Sequence, residues 1–224
     1  MRKIMAALFL LSIAALARGQ QSFGSAAGRP VAVGRLPDMV PDESVRTKFL
    51  NQEWTPAVVT FKNGAPAMKV PVLFDEFAEK AYYQEGTTTM EFNHPIASIS
   101  MLLLIKGDTA YVTFRNSYPP VHKNTGETFY EVLVDGKFQL LSCKAKTIGL
   151  YKEDVPEDQR KDQIKEMIYA FFPDGQMVEI KKDKDYLYTL PKYGEVIKSM
   201  AASKKLKLKN DKALKELFQY LNEQ

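Results

Sequence analysis

The chain has 224 residues, 31 of them basic and 27 acidic, for a formal charge of +4. Three of the basic residues (Arg2, Lys3 and Arg18) lie in the first nineteen positions, which contain no acid, so 28 basic residues face 27 acidic ones beyond them. A nearly neutral body argues against nucleic acid as a partner, because that binding rests on neutralising phosphates, and the single cysteine, Cys143, excludes a disulfide within the chain.

Residues 1–19 open with a short basic stretch. An apolar run follows from Met5 to Ala17, broken only by Ser12, and then the small residues Ala15, Ala17 and Gly19. That is the layout of a secretory signal peptide, and the run falls short of the roughly 20 residues that a membrane-spanning helix needs. Cleavage after Gly19 would leave Gln20 first. The expectation is an exported protein, periplasmic or extracellular, with no transmembrane span once the signal is removed. Residues 20–47 are rich in Gly, Pro, Ser and Ala and show no period, so they read as a flexible leader. The remainder, 48–224, reads as one β-rich domain with helices from about 183.

From Trp54 onward the apolar residues recur every second position, as they do when alternate side chains face opposite sides of a sheet. Met68, Val70, Val72 and Phe74 form one such set, Ala110, Val112 and Phe114 another, and Tyr130, Val132 and Val134 a third. Asn63-Gly64, Asp135-Gly136 and Asp174-Gly175 are hairpin signals, since these pairs tolerate the positive φ of tight turns. Residues 57–74, 129–141 and 167–180 therefore read as hairpins, with further strands in 97–105 and 110–114. This gives about eight strands with no helical crossover between them, hence an antiparallel, curved or partly closed sheet. Residues 151–166 read as a charged surface loop. Beyond Ile180 the period lengthens, and residues 183–190 suit a short helix stopped by Pro191. Val196, Ile197, Met200 and Ala201 share one face of a second helix. Asn210 is a good N-cap for a third, whose stripe is Ala213, Leu214, Leu217, Phe218 and Leu221. The neighbouring lysines then form the solvated side of a packed helix. The fold class expected is α+β, strands first and helices last.

Chemistry is harder to find. His94 and His122 stand beside prolines, without partners at metal-ligand spacing. No Gly-x-Ser-x-Gly elbow and no phosphate-binding glycine loop occurs. Carboxylates cluster at Asp75, Glu76 and Glu79, and again at Glu153, Asp154, Glu157 and Asp158, in stretches that read as turns. Cys143 suits a small buried apolar residue. Aromatics crowd the strands: Tyr82, Tyr83, Tyr111, Tyr118, Phe129, Tyr130, Tyr169, Phe171 and Phe172 fill a core or line a cavity. Trp54, just before the first strand, is placed to plug one end of the sheet. No catalytic residue, cofactor-binding residue or metal ligand is singled out, and no cofactor is expected.

The segments 49–83, 130–141, 169–191 and 204–222 together resemble a family of uncharacterised exported bacterial proteins with a signal peptide, a β-rich body and a helical C-terminus. The Gly/Pro leader and Ala57, where similar sequences tend to carry glycine, depart from that pattern. The resemblance implies a fold and no activity. The function expected is a non-enzymatic binding or interaction module of the cell envelope, its partner another envelope protein, a peptide or a glycan. The alternatives are a carrier of small apolar ligands in a β-lined cavity, and a hydrolase whose catalytic residues are scattered along the chain.

Overall fold

A computed structural model describes residues 28–30, 49–51, 53–76, 78–105, 108–147 and 163–223. The expected signal peptide, nearly all of the leader and the acidic group 153–158 lie outside them. The strands are β1 (Gly28–Pro30), β2 (Thr55–Phe61), β3 (Met68–Asp75), β4 (Lys80–Glu85), β5 (Thr88–Phe92), β6 (Ile96–Ile105), β7 (Asp108–Arg115), β8 (Tyr130–Val134), β9 (Gln139–Thr147), β10 (Gln163–Phe171) and β11 (Met177–Ile180). Three helices follow, α1 (Lys184–Tyr188), α2 (Gly194–Ser203) and α3 (Asp211–Asn222). An antiparallel sheet followed by C-terminal helices is thus present. Among the described residues the strand number is eleven rather than about eight, in the order β1-β5-β4-β3-β2-β6-β7-β8-β9-β10-β11, and the sheet is not closed.

The additions to the expected set are β1, β4 and β5. The β4–β5 hairpin turns at Gly86, whose φ of +61° suits glycine. A further correction concerns Gln163–Glu166. These residues were expected in a surface loop, but they begin β10 and pair with Lys144–Thr147 of β9. Lys165 and Glu166 are exposed, so their charge points to water and does not oppose strand pairing.

The sheet bends. Four strand spacings separate β5 from β6, about 19 Å in a flat sheet, yet only residues 93–95 join them, a reach of about 14 Å. The mismatch is relieved by curling β2–β7 around a shared apolar face. Phe74 on β3 meets Phe114 on β7 with ring centroids 4.9 Å apart, and Phe61 on β2 meets Phe92 on β5 at 5.8 Å. Val59, Val72, Ile99 and Met101 are fully buried inside this curl.

The other half, β8–β11, covers the same face with helices. Leu140, Ile168, Ala170 and Ile180 face Leu187 of α1, Ile197 and Ala201 of α2, and Leu214, Leu217 and Phe218 of α3. Asn210 caps α3 as expected, its side chain accepting the Ala213 N–H at 2.9 Å. The stripe Ala213, Leu214, Leu217, Phe218 and Leu221 is buried, so the lysines beside it are the outer surface of a packed helix. Tyr193 stacks flat on Phe172, 4.1 Å apart. At the far end Asn222 locks α3 to the β8–β9 turn: its amide donates to the Phe138 carbonyl at 2.8 Å, and its Oδ1 accepts the Phe138 N–H at 2.8 Å. Gly136 makes that approach possible. A Cβ there would lie 2.5 Å from the Asn222 side chain, and its φ of +142° disfavours any other residue.

Candidate functional site

The two halves join through a very short ladder. β7 and β8 pair at only two positions, Phe114↔Glu131 and Arg115↔Tyr130. Arg115 reinforces the end of this seam with a bidentate ion pair to Asp135, at 3.0 and 2.8 Å. The guanidinium holds the Asp135 carboxyl below its ordinary range. Before Phe114 the strands part, and an open cleft of about 930 Å³ lies there. Its apolar lining comes from three stretches: Leu50, Trp54 and Pro56 ahead of and within β2, Leu102–Leu104 on β6, and Val112 on β7. Glu131 of β8 and Lys144 of β9 supply polar groups, with Glu53 and Asn51 also on the lining.

Local structure fixes each part. Phe49 forms an isolated bridge with Asp75, and the Leu50 N–H donates to the Phe74 carbonyl at 2.8 Å. The Asn51 side chain does the rest. Its Nδ2 donates to the Val72 carbonyl at 2.6 Å, and its Oδ1 accepts the Phe74 N–H at 3.1 Å. A segment with no regular structure is thereby held against β3, which places Leu50 and Trp54 at the mouth of the curl. Trp54 is half-buried there and lines the cleft.

Around Glu131 and Lys144 stand further charged groups. Lys144 donates to Glu76, its Nζ 3.3 Å from Oε1. Glu166 accepts the Ser142 hydroxyl at 2.7 Å. Burial is the chief cause of a raised pKa at Glu131, with Glu76 and Glu166 adding to it and Lys144 and Lys215 opposing it. Glu79, also raised chiefly by burial, accepts the Phe129 N–H at 3.3 Å.

On the opposite face of β8–β10, the segment 116–129 covers a group of tyrosines. Tyr118, Tyr130 and Tyr169 pack edge to face. The Asn124 amide donates to the hydroxyls of Tyr130 and Tyr169 at 3.0 and 3.3 Å, and the Tyr118 hydroxyl donates to Gln139 at 2.7 Å. Cys143 lies half-buried beside them rather than fully buried. Burial, aided by Glu79 and Glu76, pushes its thiol up to about 11, which keeps it protonated and a poor nucleophile at neutral pH.

The histidines lie beside different elements. His94 Nδ1 meets the Asn63 side chain at 3.1 Å, and its ring packs against Phe61. His122 pairs with Glu179 at 3.0 Å in an exposed setting. Of the acidic group near position 75, Asp75 is buried and accepts the Ala78 N–H, and Glu76 belongs to the Lys144 pair. Among the described residues no group of three or more His, Cys, Asp or Glu side chains is placed to hold a metal ion, and no helix is long and apolar enough to cross a membrane.

The molecule is therefore a β-rich protein: an open antiparallel sheet, helices on one face of its second half, and a cleft at the seam. Compared with known proteins, the chain has no significant match to any family model, to any curated protein or to any solved structure.

Proposed function

We propose that the protein is an exported binding module of the cell envelope, and that the cleft at the β7–β8 seam is where it holds a small molecule with an apolar body. The observation that carries this reading is the lining itself. Leucines, Pro56, Val112 and Trp54 line an open space of about 930 Å³, with Glu131 and Lys144 among the few polar groups on its wall. That combination of volume, apolar walls and a few placed polar groups is what small-molecule sites have in common. Export rests on the composition of residues 1–19.

Trp54 is the only tryptophan in the chain, so its emission reports on the cleft directly. Titrating the mature protein with an alkyl alcohol should blue-shift and saturate that emission. Native mass spectrometry of protein purified from its own envelope should show an added small mass. Unchanged Trp54 emission across a series of apolar probes would remove the cleft from consideration. N-terminal sequencing of protein recovered outside the cytoplasm should begin at Gln20, and an intact Met1 would count against export.

A second reading, in which the partner is a protein, draws on Leu104 and Tyr111. They are 75% and 72% exposed and lie close together on the β6–β7 ladder, where Leu102 pairs with Tyr111 and Leu104 with Thr109. Tyr111 is outside the cleft lining, so Tyr111→Ser should abolish capture of a protein partner while leaving probe binding beside Trp54 in place.

A further inference from the structure

The charged groups on and around the cleft wall are not equivalent. Lys144 is engaged by Glu76, and Glu166 by the Ser142 hydroxyl. Glu131 makes neither a hydrogen bond nor an ion pair with any described side chain; Lys144 and Lys215 act on it only through space. It is half-buried, lines the cleft, and has its carboxylate stripped of part of its water. Its carboxylate still reaches water, and a bound donor would exchange that water for a charge-assisted hydrogen bond.

The local charge has a definite sign. Glu53, Glu76, Glu131 and Glu166 stand on or around the cleft wall against Lys144 and Lys215. An anionic head group would have to displace Glu76 from Lys144 and then lie against Glu131. A neutral head group would leave Glu131 uncompensated. A protonated amine does neither: it donates to Glu131 and leaves the existing pairs intact.

Building on the cleft reading above, we propose that the ligand is a cationic amphiphile, an apolar chain carrying a protonated amine that Glu131 receives. The alkyl part lies along Leu103, Leu104, Val112 and Trp54, and the ammonium reaches the β8 end. A charge-assisted hydrogen bond at a partly dehydrated site favours the amine over a neutral group of the same length by roughly tenfold.

The test uses octylamine, octanoate and octanol, three probes of equal chain length, titrated into the mature protein at neutral pH with Trp54 emission as readout. The amine should bind about tenfold tighter than octanol, and octanoate weakest. Lowering the pH should erase the amine's advantage as Glu131 takes up a proton. Burial raises the point where this step falls; of the charges around it, Lys144 and Lys215 lower it and Glu76 and Glu166 raise it. In Glu131→Gln the advantage and its pH step should both vanish while octanol still binds, which also shows that the variant is folded. Equal affinity for all three probes, preference for octanoate, or an advantage that survives Glu131→Gln would each overturn the amine assignment and leave the cleft reading standing. No Trp54 response to any probe would overturn both.

Discussion

From β2 to β7 the sheet hides its apolar face by bending until Phe74 touches Phe114 across three strand spacings. From β8 to β11 it hides the same face under α1–α3 and the opposite face under residues 116–129. The difference is written in the strands. β2 alternates, with Ala57, Val59 and Phe61 buried and Val58 and Thr60 partly exposed, because a curled sheet has one inside. β10 buries Ile168, Tyr169 and Ala170 in succession, because it is covered on both faces, and such strands lose the alternating pattern. Two ways of sealing a sheet meet at β7–β8, and the mismatch between them opens the cleft.

The largest effect is expected in the core between the helices and the sheet. Phe218 of α3 is fully buried against the sheet, and Phe218→Ala should cost about 3–5 kcal/mol. The more informative readout is cooperativity. If the halves unfold together, helical circular dichroism and Trp54 emission will lose their native signals at the same denaturant concentration, both shifted to lower values. A helical transition that moves while the Trp54 transition stays put would divide the molecule into two folding units.

A smaller loss tests how the covering is fastened. Asn222→Ala removes the two bonds to Phe138 and a third, at 3.3 Å, to the Asp135 carbonyl. The half-buried Phe138 N–H and carbonyl lose these partners, at about 1 kcal/mol. Gly136→Ala should be damaging in the native protein and less so in the Asn222→Ala background, because part of its cost is collision with the Asn222 side chain. Strict additivity in the double variant would show that backbone strain alone accounts for Gly136.

The hairpins at Asn63-Gly64, Asp135-Gly136 and Asp174-Gly175 were legible because each turn announces itself, and the stripe of α3 because five apolar residues fall on one side. The β4–β5 hairpin was not. Its turn is Gly86-Thr87, without the usual Asn or Asp, and Tyr82 and Tyr83 are adjacent aromatics that mask the alternation. The start of β10 was hidden by its outward charges. The cleft was illegible for a different reason. Leu50, Trp54, Leu103, Val112 and Glu131 are brought together by the Asn51 anchor on β3 and the register of β7 against β8, and Glu131 alone reads as one more polar residue in an alternating strand. A faint signal was available: a lone tryptophan just outside a strand is seldom there for solvent.

The two-sided half also predicts a pH limit. Burial pushes the Tyr130 hydroxyl up to about 12, against about 10 in the unfolded chain. A raised folded pKa means that the folded state holds its proton longer. Stability is therefore complete below pH 10 and is lost as pH rises from 10 toward 12. Tyr169, raised for the same reason, extends the loss further. Tyr130→Phe should soften this alkaline limb while costing a little at neutral pH, where it gives up the bond from Asn124. An alkaline limb as steep in Tyr130→Phe as in the native protein would assign it to other groups.

The smallest effect has the opposite sign and comes from the curled half. Tyr83 of β4 is buried with its ring 4.6 Å from that of Phe92, yet its hydroxyl has no hydrogen-bond partner in the structure. In the covered half, Asn124 was available to serve Tyr130 and Tyr169. Inside a curl closed by its own strands, the backbone groups are already spent on the ladders, and the buried side chains around Tyr83 are apolar. Tyr83→Phe keeps the ring contact and removes the unserved oxygen, so it should raise stability by about 1 kcal/mol. A raised denaturation midpoint with an unchanged m-value would match. A lowered midpoint would mean that the hydroxyl is served by a water inside the curl, and the contrast between a dry curled half and a hydrogen-bonded covered half would then have to be given up.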